Sequence, residues 1–181
     1  MKTLLTALYL SFAFCISYGQ ASSVSETTTS IVLEKQKACD VISMDQIAEL
    51  LDVESSKLVE EDMSFAESKR RSICHVIAKD VIASCNIRLG WKSKKAEAKK
   101  RLEQSYTRYL TSGEENVNSY EEISNTNDTQ ILFGKGSSKS GNLYVVRKRF
   151  GNSSEVKIEV LKESEDDSLK SRLVSIVENI K

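Results

Sequence analysis

Between Ser72 and Trp91, apolar and polar positions alternate in two runs on either side of Lys79-Asp80. Cys74, Val76 and Ala78 share one parity in the first run. Val81, Ala83, Cys85, Ile87 and Leu89 share one in the second. Strand side chains change face at every residue, so the stretch predicts a β-hairpin with one continuous core face. A two-residue turn at Lys79-Asp80 would set Ala78 opposite Val81, Val76 opposite Ala83 and Cys74 opposite Cys85. A slip of one residue would oppose core to solvent positions. The faces are therefore better specified than the turn, because Lys-Asp is not the Asn-Gly or Asp-Gly pair such turns favour.

Helical spacing lies on both sides of this hairpin. Ser43 with Gln46 makes a capping box, and Ile42 with Ile47 a hydrophobic staple. Ile47, Ala48, Leu50 and Leu51 then give the apolar side of a helix over Met44–Leu51. Lys57–Met63 reads as a strand and Ser64–Arg71 as a polar loop. After the hairpin, Ser93 caps a helix reaching Ser112, with Gly113 at its C′ position. Ala98, Leu102, Tyr106, Tyr109 and Leu110 form its apolar stripe, and Lys94, Lys95, Lys99, Lys100 and Arg101 its basic side.

The polar stretch Glu114–Asp128 reads as a loop holding one short strand around Tyr120–Ser124. Strands are expected over Thr129–Gly134, Asn142–Phe150 and Glu155–Lys162. Tyr144, Val146 and Phe150 would share a face with Val156, Ile158 and Val160 if the turn Gly151-Asn152-Ser153 has three residues. Asp166–Ser168 opens a last helix whose stripe is Leu169, Leu173, Ile176, Val177 and Ile180. Strands joined by short turns, with no helical crossover inside each run, predict an α+β fold: a mostly antiparallel sheet of six to seven strands with three helices packed on it.

The N-terminus changes the setting. Met1-Lys2, an apolar stretch from Leu4 to Phe14, and small residues before Gln20 describe a signal peptide cleaved near Gly19. The apolar run is shorter than the roughly 20 residues a membrane-spanning helix needs. Cys15 as a lipid acceptor is disfavoured by the bulky Phe14 before it. Ala21–Ser30 is a Ser/Thr-rich tether (residues 20–30), and a single domain is expected over residues 31–181. The leader's Tyr18-Gly19-Gln20 ending reads as bacterial, which places the chain in a periplasm or outside the cell.

Basic and acidic residues balance at 26 each, so the whole chain has no attraction for nucleic acid. Proline is absent, which removes any proline-rich linker. His75 is the sole histidine, too few for a zinc site of ordinary spacing. Gly134–Gly141 resembles a phosphate cradle but lacks the Lys-Ser/Thr ending and lies between two strands, so it reads as a hairpin loop. The basic run Lys92–Arg101 has few aromatics to stack bases, and reads as a solvated helix face. Asn127-Asp128-Thr129 and Asn152-Ser153-Ser154 are glycosylation sequons, discounted for a bacterial leader. No cofactor motif is present.

Of four cysteines, one belongs to the leader, and Cys39, Cys74 and Cys85 remain. Export favours one disulfide, with one thiol left over. Cys74 and Cys85 would face each other at a hydrogen-bonded pair, with Cβ atoms about 5 Å or more apart, against about 3.8 Å in a disulfide. Cys39, just ahead of the first helix, can approach the same face.

The opening Cys39–Val53, with Ser43, Ile47, Ala48, Leu50, Leu51 and then Cys74, resembles a family of small secreted bacterial domains of uncharacterised role. These begin with Cys, a capped helix of the form T-x-E-E-V-A-x-L-L-G, and a second Cys on a following strand. Asp52-Val53 stands where that family has Gly, and no Trp follows Cys74. The resemblance implies a Cys39–Cys74 bridge with Cys85 buried beside it, a PsbP-like α/β/α sandwich, and no catalytic residues. The expected function is a secreted or periplasmic non-catalytic module binding a partner protein or small molecule. The alternative is a secreted enzyme or thiol-redox protein using Cys85 or His75.

Overall fold

The structure, a computed structural model, describes residues 36–63, 68, 70–91, 96–151 and 154–180. The leader, Cys15, the tether, the domain's start near Ile31, the Ser93 cap, Lys92–Lys95, Lys69, most of the Ser64–Arg71 loop and the Asn152-Ser153 part of the last hairpin turn lie outside the described residues. Helix α1 spans Met44–Leu51, α2 Ala96–Ser112 and α3 Leu169–Asn179. The strands are β1 Leu58–Glu61, β2 Arg71–Ala78, β3 Ala83–Trp91, β4 Val117–Asn125, β5 Thr129–Ser138, β6 Gly141–Phe150 and β7 Ser154–Lys162. All seven form one antiparallel sheet in the order β1-β2-β3-β7-β6-β5-β4. The fold is α+β, as the pattern of the chain predicts.

One sheet face carries Val76, Cys85, Ile87, Ile158, Val160, Tyr144 and Val146, and it packs on Ile47, Leu50 and Leu51 of α1 and Leu169, Leu173 and Val177 of α3. On the other face Leu132 and Val145 meet Leu102 and Tyr106 of α2, with Val117 and Tyr120 of β4. Helices therefore cover both sides. Helix α1 starts as expected: the Ser43 hydroxyl accepts from Gln46 N at 3.2 Å, and Gln46 Oε1 accepts from Ser43 N at 3.1 Å.

Three expectations are corrected. The β2–β3 register pairs Val76 with Cys85 and Cys74 with Ile87, a shift of two residues from the expected pairing. Lys79–Ile82 forms a longer turn in which Asp80 takes a left-handed φ of 67°. A two-residue shift preserves the faces, so alternation alone is blind to it. Val81 consequently leaves the core and stands in the turn. Second, Glu114–Asp128 is mostly strand: β4 runs nine residues, with register irregularities at Val117/Ser119 and Glu122/Ser124 that break its alternation. Third, β5 continues to Ser138, so most of the Gly-rich stretch is ladder and only Lys139-Ser140 turns. Its glycines admit β4: a Cβ on Gly136 would lie 1.7 Å from Asn116 O, and one on Gly134 would lie 2.6 Å from Val117 Cγ1.

Two lysines on the core face of the sheet hold the helix ends. Lys148 Nζ donates to the carbonyls of Val177 at 3.0 Å, Glu178 at 3.1 Å and Ile180 at 2.7 Å. It thereby satisfies the last turn of α3, where the helical hydrogen bonds run out, and Val177 O also accepts from Ile180 N at 3.2 Å. Lys162 donates to Asp166 at 2.8 Å and to Asp52 at the end of α1, while Arg172 of α3 reaches both carboxylates. Burial pushes the Asp166 carboxyl up, but hydrogen bonds from Lys162 and Ser168 and the charges of Lys162 and Arg172 outweigh it and hold the group well below the usual range.

A lowered carboxyl contributes stability that is complete above its ordinary value of 3.8 and is lost as pH falls towards the folded-state value. Asp166→Asn is expected to cost about 1–3 kcal/mol at pH 7, and the gap from wild type should narrow below about pH 4. Denaturant unfolding at the two pH values checks this. An equal gap at both would contradict it.

Candidate functional site

The cysteines come first, because they limit the chemistry. Cys39 and Cys74 form a disulfide with Cα atoms 5.0 Å apart. The short turn Ala38–Asp40 is laid on β2, where Ala38 N donates to Ser72 Oγ at 3.0 Å. Cys85 is a free, fully buried thiol, pushed up to about 12 by burial and by the nearby Glu159 charge. A thiol held protonated at neutral pH is a poor nucleophile. His75 points to the opposite face, where its Nδ1 lies 2.8 Å from Glu61 Oε2 across the β1–β2 ladder. The two residues of the enzyme alternative are thus not brought together.

That opposite face carries an alternating row of charges that runs from β3 across β7 to β6. Arg88 meets Glu159 at 3.3 Å, Glu159 meets Lys157 at 2.6 Å, and Lys157 meets Glu114 at 3.0 Å. Glu114 and Glu155 then hold Arg147, the latter at 2.6 Å. Gly113, with φ of 64°, and Asn116, with φ of 65°, turn the chain sharply after α2 and bring Glu114 over the sheet. Arg147 is 5% exposed. Its Nε donates to Tyr120 Oη at 3.3 Å and its guanidinium sits 4.2 Å from the Tyr109 ring centroid.

Burial raises the Glu114 carboxyl, but the Tyr120 hydroxyl, Arg147 and Lys157 outweigh it and lower the group overall. Tyr120 moves up, through burial first and then the Glu114 contact, although Arg147 opposes. Arg147 uses all three of its nitrogens on these neighbours, and Lys157 bridges Glu114 and Glu159. From Glu159 to Arg147 the row pairs its charges internally, while Arg88 at its β3 end stays half exposed.

The open site lies at the tip of the β2–β3 hairpin. A cleft of about 500 Å³ runs between the C-terminal turn of α1 (Ala48, Glu49, Asp52), the connection Val53, Glu54 and Lys57, and the turn residues Lys79, Asp80 and Val81. Its carboxylates outnumber its ammonium groups four to two, with Ala48, Val53 and Val81 as apolar lining. Val81 and Ile82 are 51% and 49% exposed. The sequence hides this site, because alternation carries Val81 into the core. Its one signal is a turn of two adjacent aliphatics without Gly or Asn. The basic side of α2 shows Lys99, Lys100 and Arg101 exposed, with Arg101 paired to Glu97 at 2.5 Å.

The chain matches no protein-family description, no curated protein and no solved structure. Among the described residues no helix is long and apolar enough to cross a membrane.

A lysine at position 147 cannot reproduce the guanidinium's forked contacts. Arg147→Lys is expected to lower stability by about 1–3 kcal/mol, and Arg147→Met by more, since Glu155 would then lose the cation that holds it and Glu114 would keep only Lys157. Denaturant titration of the two variants checks the order. A methionine variant as stable as wild type would contradict it.

Proposed function

We propose that this chain is an exported, non-catalytic interaction module that docks a partner protein at the cleft under the β2–β3 tip. The observation that carries the reading is the exposure of Val81 and Ile82. Among the described residues, they and Met44 are the only large apolar side chains so exposed. Exposed aliphatics grouped beside a concavity are a usual mark of an interaction surface. The carboxylates Glu49, Glu54 and Asp80 favour a partner segment that presents an aliphatic side chain flanked by basic groups.

Export is supported by the leader and by the disulfide, since disulfides persist in oxidising compartments. The likeness of Cys39–Val53 to small secreted bacterial domains agrees with it. The burial of Cys85, and its place on the sheet face opposite His75, weigh against thiol or Cys–His catalysis.

A photo-reactive amino acid at Ile82, and another at Lys100 on the far face, test the docking surface in the native host. A discrete crosslinked product from position 82 and none from position 100 is expected. Val81→Ser with Asp80→Asn, which keeps a residue suited to the left-handed φ at position 80, should abolish binding of the captured partner while leaving stability within about 0.5 kcal/mol. Crosslinks from position 100 alone, or binding unaffected by the paired change, would refute the assignment.

A further inference from the structure

The sulfurs of Cys39 and Cys74 and a carboxylate oxygen of Glu60 all lie within 4.8 Å of one another. The topology explains the grouping. Leu58 and Glu60 of β1 pair with Ala78 and Val76 of β2, so Glu60 projects from the same face as Cys74. The Ala38–Asp40 turn then lays Cys39 over that face. Glu60 is exposed, Cys39 partly exposed and Cys74 buried, which leaves the group reachable from solvent on one side.

We propose that, with the Cys39–Cys74 bridge open, Cys39, Cys74 and Glu60 hold a thiophilic divalent cation such as Zn²⁺ or Cd²⁺. Two thiolates and a carboxylate are ligands that suit such ions, and three protein ligands leave a fourth position for water. Two sulfurs on a tetrahedral ion, each about 2.3 Å from it, stand about 3.8 Å apart. The disulfide and the metal are mutually exclusive states of one site, so oxidation expels the ion. Cys85 lies outside the group and takes no part.

The chemistry balances with a tertiary phosphine as reductant. Phosphine and one water become phosphine oxide, two electrons cleave the S–S bond, and two thiols form. Cation binding then displaces the two thiol protons.

The test uses the chain carrying Cys85→Ala, reduced with phosphine, checked for folding by circular dichroism and titrated with Cd²⁺ under anaerobic conditions. One Cd²⁺ per chain with a thiolate-to-cadmium charge-transfer band is expected, and none in the oxidised protein. Glu60→Gln keeps both sulfurs and should weaken binding roughly tenfold or more. No band in folded, reduced protein, or a Glu60→Gln affinity equal to wild type, would overturn the proposal. So would a band that requires Cys85.

Discussion

Strand β7 lies between β3 and β6 and pairs with both along its nine residues. It joins the β1–β3 meander, which carries the disulfide, to the β4–β6 meander, which carries α2. Ile87 lies opposite Ile158 at this seam, and Cys85 opposite Val160, so the core under α1 and α3 continues across it. The partners are separated in sequence by α2 and three strands. Their pairing therefore meets the entropy of closing a long loop, and it is held by apolar contacts contributed from both meanders. Neither meander alone has a complete sheet face for α1 and α3 to rest on.

Charged groups then place the helices on that sheet. Lys162, at the end of β7, gathers Asp52 from α1 and Asp166 just ahead of α3. Lys148, on the adjoining strand, receives the last carbonyls of α3. On the other face, the Arg88 to Glu155 row occupies ground that an apolar layer would otherwise fill. Helix α2 therefore rests on the small apolar cluster of Leu102, Tyr106, Leu132 and Val145, and Tyr109 on Arg147 adds a contact to the charged row. The hairpin tip is held by few such constraints, and it is there that the proposed partner would dock.

The parts of this arrangement legible in the sequence are those set by short-range rules. The Ser43–Gln46 capping box fixes α1, and Gly113 ends α2. Period two assigns Cys74, Val76, Ile87 and Ile158 to one face. It fails at three places for physical reasons. Turn length enters alternation only as odd or even, so the β2–β3 shift by two residues is silent and Val81 is misplaced. Strand β4 has its apolar Val117, Tyr120 and Ile123 three apart because of its register irregularities, and so looks like loop. The charged row looks like a solvent face, since Arg147, Lys157 and Glu159 alternate with core residues as surface residues do. Their burial depends on α2 and the Glu114 turn, which are distant in sequence. The cleft was illegible for the same reason, being built from α1 and a hairpin tip that no local pattern brings together.

The central claim is that β7 makes the two meanders one cooperative unit. Native-state hydrogen exchange at the amides of β3 and β7, followed over low denaturant concentrations, tests it most directly. The Ile87 and Ile158 amides should exchange only through global unfolding, with the same opening free energy and denaturant dependence. Exchange of the β3 amides through a smaller opening, with β7 and β6 still protected, would contradict it.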